Sequence, residues 1–189
     1  MLDNLFNLVK QSAGDAIVNN PAIPNEKNEE VIAEASNSIT GGLQGLLSQG
    51  GLKDVLKMFG GQDGGVENSN VTRQISGGFV QNLMDKFGLD NQSAGNVANS
   101  VVPNVLSSLV QKTNDSNDKS FDIQSLFNNL SGGKTAGINL QGLLSKVKGG
   151  ALDLDGDGDT DMQDLLSVFN KGGNSGGGLM DKVKGLFGS

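Results

Sequence analysis

Twenty-nine glycines are spread along this chain of 189 residues, and they cut its apolar side chains into short runs. Within each run the apolar residues recur three or four apart, which is the spacing of one helix face. A chain punctuated in this way is expected to fold as short helices with many breaks. The reading is all-α: an irregular bundle of short, glycine-separated helices.

The runs can be followed in order. Leu2, Leu5, Phe6, Val9, Ala13, Ala16 and Ile17 mark a first helix over Met1 to Asn20, which Pro21 and Pro24 should end. Val31, Ile32, Ala35 and Ile39 mark a second over Asn25 to Ile39, with an acidic start that suits the helix dipole. Gly41 and Gly42 are expected to break it. Leu43 to Leu47 and Leu52 to Phe59 then read as two short helices joined across Gly50 and Gly51, a helical hairpin. After a polar stretch from Gln62 to Asn70, Val71, Ile75, Phe79, Leu83 and Phe87 recur every four residues. Asp90 or Asn91 can cap the next helix, whose stripe is Ala94, Val97, Ala98, Val101, Val102, Val105, Leu106 and Leu109. Pro103 lies inside that stripe and should kink the helix or start a new one. Phe121 to Leu130 and Ile138 to Val147 read as two further helices.

The stretch Phe87-Gly88-Leu89-Asp90, with Ala94, Val97, Val101, Val102-Pro103 and Val105-Leu106, resembles the YidB-like family of small bacterial helical proteins. The likeness covers about residues 30 to 130. It implies an all-α fold and a bacterial origin, and it supplies no activity and no catalytic residue. The divisions that follow are a helical domain over 1–112, a polar linker over 113–120, a helical segment over 121–171, a Gly-rich spacer over 172–178 and a C-terminal helix over 179–189.

One hexapeptide occurs twice. Leu43-Gln44-Gly45-Leu46-Leu47-Ser48 recurs as Leu140-Gln141-Gly142-Leu143-Leu144-Ser145, and each copy leads through a Gly-Gly pair to an Asp-started apolar segment, at Asp54 and at Asp164. Five residues separate Ser48 from Asp54, whereas 18 separate Ser145 from Asp164. The expectation is one hairpin used twice, its second turn rebuilt around an ion.

That second turn carries the one strongly specified chemistry in the chain. Calcium takes six or more oxygen ligands, and a twelve-residue EF-hand loop supplies them from positions 1, 3, 5, 7, 9 and 12 with a glycine at 6 for the sharp turn. With position 1 at Asp153, the series runs Asp155, Asp157, Gly158, Asp159, Asp161 and Asp164, and every position is filled. A register that puts Gly156 at the glycine position begins at Ala151 and lacks a first ligand, so the frame is unique. Magnesium fits less well, because it demands a tighter octahedron and keeps its waters. Asp164 at position 12, in place of Glu, and Gly149-Gly150 ahead of the loop make it look more like a dockerin repeat than a calcium sensor. Dockerins carry two such loops and this chain has one, which puts cohesin binding in doubt.

Composition narrows the remaining classes. The chain has no Cys and no His, so disulfides, thiolate zinc sites and histidine-based nucleophilic schemes are closed to it. An enzyme is not expected, although carboxylate or metal-dependent chemistry stays open in principle. Six of the 21 acids lie in the loop; the other 15 nearly balance 14 basic residues, so no nucleic-acid footprint is present. No apolar run is long enough to span a bilayer, and the N-terminal stretch is interrupted by Asp3, Asn4 and Asn7 in a way that a secretory signal is not. A cytoplasmic location is therefore the default, with non-classical export left open.

Beyond the spacer, which reaches roughly 15 Å as a random coil, Leu179, Met180, Val183, Leu186 and Phe187 form one apolar face. That helix either docks on its own core or engages a partner or a second copy; membrane anchoring is not expected from so short a segment. The function expected is a non-enzymatic calcium-binding module acting through protein–protein contact or self-association, with calcium mainly structural. The alternatives are a metal-dependent enzyme and a sensor that exposes an apolar groove on binding.

Overall fold

A computed structural model describes residues 2–62, 64–115 and 117–149. Among these residues seven α-helices run in order: α1 Leu2–Val18, α2 Asn28–Ser48, α3 Leu52–Gly60, α4 Asn70–Phe87, α5 Asn91–Asn114, α6 Ile123–Leu130 and α7 Leu140–Lys148. Single 3-10 turns at Asn25–Lys27 and Lys119–Phe121 precede α2 and α6. No strand occurs among the described residues, so the all-α expectation stands. No helix among them is long and apolar enough to cross a membrane.

The four long helices form a ring in which α1 packs on α2 and α5, and α4 packs on the same two. Its interior is the apolar face read from the sequence. Val71, Ile75, Phe79 and Leu83 of α4 and all eight stripe residues of α5 are almost completely buried. The short helices α3, α6 and α7 make a second layer, with α7 lying on α3 and on α6. Phe59 of α3 meets Phe127 of α6 edge to face, ring centroids 5.4 Å apart, a geometry that aligns the edge of one ring with the π-face of the other.

Of two interruptions expected from the sequence, the one at Gly41-Gly42 is absent and the one at Pro103 does not divide its helix. Helix α2 runs unbroken through Gly41 and Gly42 as far as Ser48, so Leu43 to Leu47 is its last stretch and not a separate helix. Two interior glycines cost this helix about 2 kcal/mol of propensity, but Ile39, Leu43 and Leu47 are buried beyond what that cost can undo. Gly42 also has a packing reason to be glycine: a Cβ there would stand 2.6 Å from Ile75 Cγ1 of α4. Helix α5 likewise continues through Pro103 from Asn91 to Asn114. Its face is buried on both sides of the proline, at Val101 and Val102 and at Val105 and Leu106.

The caps are local and legible. Asp90 accepts from the Ser93 N–H at 2.9 Å and starts α5; Gly88, at φ +69°, ends α4 in the left-handed conformation that glycine adopts without penalty. Residues 113–120, expected as a polar linker, connect elements whose buried side chains join one core, from Leu5 in α1 to Val147 in α7. Thr113 still belongs to α5, with its hydroxyl donating to the Leu109 carbonyl at 2.7 Å. Lys112 pairs with Asp118 at 3.1 Å, which fastens the following turn to the end of α5.

The repeated hexapeptide is helical in both copies and buries matching positions, Leu43 with Leu140 and Leu47 with Leu144. The second arm of the second copy, from Asp164, lies outside the described residues.

Candidate functional site

All six carboxylates expected from the sequence to hold calcium, Asp153, Asp155, Asp157, Asp159, Asp161 and Asp164, lie outside the described residues. What is described is the platform from which the loop departs. Helix α7 starts at Asn139, whose side chain accepts from the Gly142 N–H at 2.8 Å, and it buries Leu140, Leu143, Leu144 and Val147. Its end is held as firmly as its start. Gln62 donates through Nε2 to the Val147 carbonyl at 3.0 Å, and Lys148 reaches Asn114 Oδ1 at 2.8 Å. Asn114 in turn donates through Nδ2 to the Phe59 carbonyl at 3.1 Å.

These bonds have a common cause. The last four carbonyls of any helix lack an intrahelical donor, and the amide side chains of Gln62 and Asn114 each satisfy one of them, at Val147 of α7 and at Phe59 of α3. Lys146 and Lys148 add positive charge in the last turn of α7, where the helix dipole favours it. Contact between α3 and α7 is close: a Cβ on Gly60 would stand 2.3 Å from Val147 Cγ1. The helix that precedes the Asp-rich stretch is thus held at its last two residues by Gln62 and Asn114, and four residues separate Lys148 from Asp153.

Neither Gln62 nor Asn114 stood out in the sequence as more than a polar residue near a break. Their partners lie 85 and 55 positions away along the chain, and no local pattern signals such a pairing.

Elsewhere the described body carries little that resembles a catalytic or metal centre. No group of three or more acidic side chains among the described residues is placed to hold a metal ion. Two carboxylates are held below their ordinary range, and both are caps. Hydrogen bonds from the Ser93 backbone and hydroxyl lower Asp90; those from the Ser120 backbone and side chain, and then from Lys112, bring Asp118 down to about 2. Their perturbation therefore reports local structure and not a reaction site.

Two grooves flank α4. One, of about 410 Å³, lies against α2 and includes Glu34, Ser38, Gly78 and Asn82. Its polar groups are largely spoken for: Glu34 pairs with Lys86 at 2.7 Å, and Asn82 donates to Ser38 at 3.0 Å. The other, of about 550 Å³, lies against α5. Of its polar side chains, Thr72 donates to the Val66 carbonyl and Arg73 to Asn70.

No family model matches the chain, and comparison with curated proteins and with solved structures likewise finds no match.

Proposed function

We propose that the chain is a non-enzymatic, calcium-binding helical module that works through protein–protein contact or self-association, with the ion in a mainly structural role. The observation that carries this is the register of residues 153–164, in which six carboxylates and Gly158 fall together on the ligand positions of a single twelve-residue loop. The donor set is all oxygen, as a hard cation requires. Carboxylates brought so close repel one another without an ion, so binding and ordering of the loop are coupled.

The platform supports the structural role. A loop tethered to a clamped helix passes the free energy of ion binding to the fold, since a ligand that binds only the folded form stabilises it, by about 2.7 kcal/mol at a hundred times the dissociation constant. Recognition of a partner does not draw on a broad apolar face of the described body, where Val18 is the large apolar residue left exposed. It falls to polar surface, or to the apolar face at 179–187.

Titration calorimetry with calcium tests the reading on the wild-type chain and on a variant carrying Asp153→Ala and Asp157→Ala. Heat of binding below millimolar calcium and a raised melting temperature are expected for the wild type only. Absence of both effects in the wild type removes the calcium reading.

A further inference from the structure

The lysines of the described body divide by their partners. Lys10, Lys27, Lys86 and Lys112 each pair with a Glu or Asp, at 2.7 to 3.6 Å. Lys53 and Lys57 of α3 and Lys146 and Lys148 of α7 have no carboxylate partner among the described residues. Asp54, the acid in the first turn of α3, is exposed and pairs with none of them.

The helix period places these four lysines along one seam. Lys53, Lys57 and Gly60 are spaced i, i+4 and i+7, so they share a face of α3. That face meets α7 at Gly60, where an added Cβ would touch Val147 and Leu144, and Val147 stands between Lys146 and Lys148 in the chain. Lys53, Lys57 and Lys146 are half-buried, so their stems lie along the surface and their ammonium groups reach water. Helix dipoles account for part of this charge only. Lys57, Lys146 and Lys148 lie in last turns, where about half a unit of negative charge accumulates per helix; Lys53 lies in the first turn of α3, where the dipole disfavours a cation.

We propose that, without calcium, the Asp-rich stretch 153–164 of the same chain docks on this lysine face, and that calcium releases it. The stretch carries six carboxylates and no basic residue, and it leaves the body at the lysine seam itself, since Lys148 ends α7. Five to 16 residue steps take the chain from Lys148 to Asp153 and Asp164, a coil spanning roughly 12 to 22 Å. Lys53 lies about 10 Å from Gly60 along α3 at the helical rise per residue, so the whole face is within reach. A short tether holds the acidic stretch at a local concentration in the millimolar range, which a separate acidic partner or a second copy would have to exceed. Calcium competes with the lysines because it draws the same oxygens inward around one point and cancels two of the six charges. The release rests on the calcium reading above; the docking does not.

Zero-length carbodiimide coupling of the full chain tests this, because it joins an ammonium to a carboxylate only where the two touch. It is run in chelator and in calcium on an equal mixture of unlabelled and 15N-labelled chain, with the linked peptides read by mass spectrometry. Expected in chelator are links within one chain from Lys53, Lys57 or Lys146 to residues 153–164, reduced about tenfold or more in calcium. Lys134, which precedes α7 and is likewise without a carboxylate partner, should give few. Replacing Lys53, Lys57 and Lys146 together by Gln should tighten calcium binding by about threefold or more at low salt, a difference that 1 M salt abolishes by cutting the screening length to about 3 Å. Links from Lys148 alone, links to Lys134 as frequent as those to the seam, links between chains, or calcium affinity untouched by the Gln variant would each overturn the proposal. Links that persist in calcium while calorimetry shows the ion bound would overturn the release. Links that persist with no heat of calcium binding would uphold the docking and remove the calcium reading instead.

Discussion

The two copies of Leu-Gln-Gly-Leu-Leu-Ser occupy opposite ends of their helices. Residues 43–48 are the closing turns of α2, a helix of 21 residues, whereas residues 140–145 open α7, a helix of nine. The hexapeptide itself settles which side faces inward, since Leu43 and Leu140 are both fully buried and Leu47 and Leu144 are each 1 % exposed. The flanking residues settle where the helix starts and stops. Gly42 precedes the first copy and lies in a helix interior, pressed against Ile75; Asn139 precedes the second, has φ −78° and ψ +82°, and caps it. After the first copy Gly50 takes φ +88° and ends the helix, while Lys146-Val147-Lys148 carry the second one turn further to the clamp on α3. Identical peptides thus share a face and nothing else.

The equivalence of the buried positions is the part of this comparison with the largest energies at stake. Leu43→Ala and Leu140→Ala should each destabilise the fold by about 2–5 kcal/mol, the range for a leucine whose removal leaves a cavity. Denaturant unfolding would read both. If Leu140→Ala unfolds at the wild-type midpoint, the second copy is not part of the core and the likeness is superficial. Next in size is the seat of the second copy. Gly60→Ala puts a methyl group into Val147, and overpacking of this kind costs about 1–3 kcal/mol. Its effect should be concentrated in α7, so hydrogen exchange in residues 143–148 should accelerate more than in α4 or α5. Uniform acceleration would mean that α3 and α7 are not separately seated.

Much of this architecture was legible in the chain. Period-four spacing located α4 and α5 and their buried faces, and Asp90 was readable as a cap, because these depend on residues within a few positions of one another. What could not be read were the effects of distant partners. Gly41-Gly42 looks like a break in isolation, and only the approach of Ile75 from α4 explains why the helix needs glycine at Gly42. Pro103 reads as a kink or as the start of a new helix, and the second is set aside only by a helix that runs through it with Val101, Val102, Val105 and Leu106 buried on either side. For the proposed calcium site the balance is reversed. The carboxylates proposed as its ligands are read from spacing alone, while the contacts that hold the end of α7 depend on Gln62 and Asn114, which no local pattern marks.

The smaller effects test whether flanks decide position. Asn139→Ala should cost about 1 kcal/mol, the usual loss when a capping side chain is removed, and no substitution in the first copy has that meaning, because Gly42 caps nothing. A melting temperature unchanged by Asn139→Ala would show that α7 is held by burial alone.

The finest comparison is between the two central glycines. At Gly45 an added Cβ would meet only Gln49 Nε2 at 3.9 Å, an ordinary contact, so Gly45→Ala should stabilise by up to about 1 kcal/mol through helix propensity. At Gly142 the same Cβ would stand 3.1 Å from Asn139 Cγ, so the gain in propensity is set against displacement of the cap, and the net effect should be near zero or unfavourable. The physical claim is a coupling between residues 139 and 142, which a double-mutant cycle isolates. With Asn139→Ala already in place the crowding is gone, and Gly142→Ala should then stabilise as Gly45→Ala does. If Gly142→Ala has the same effect with and without the asparagine, the cap does not distinguish the two copies, and the cause must lie further along α7.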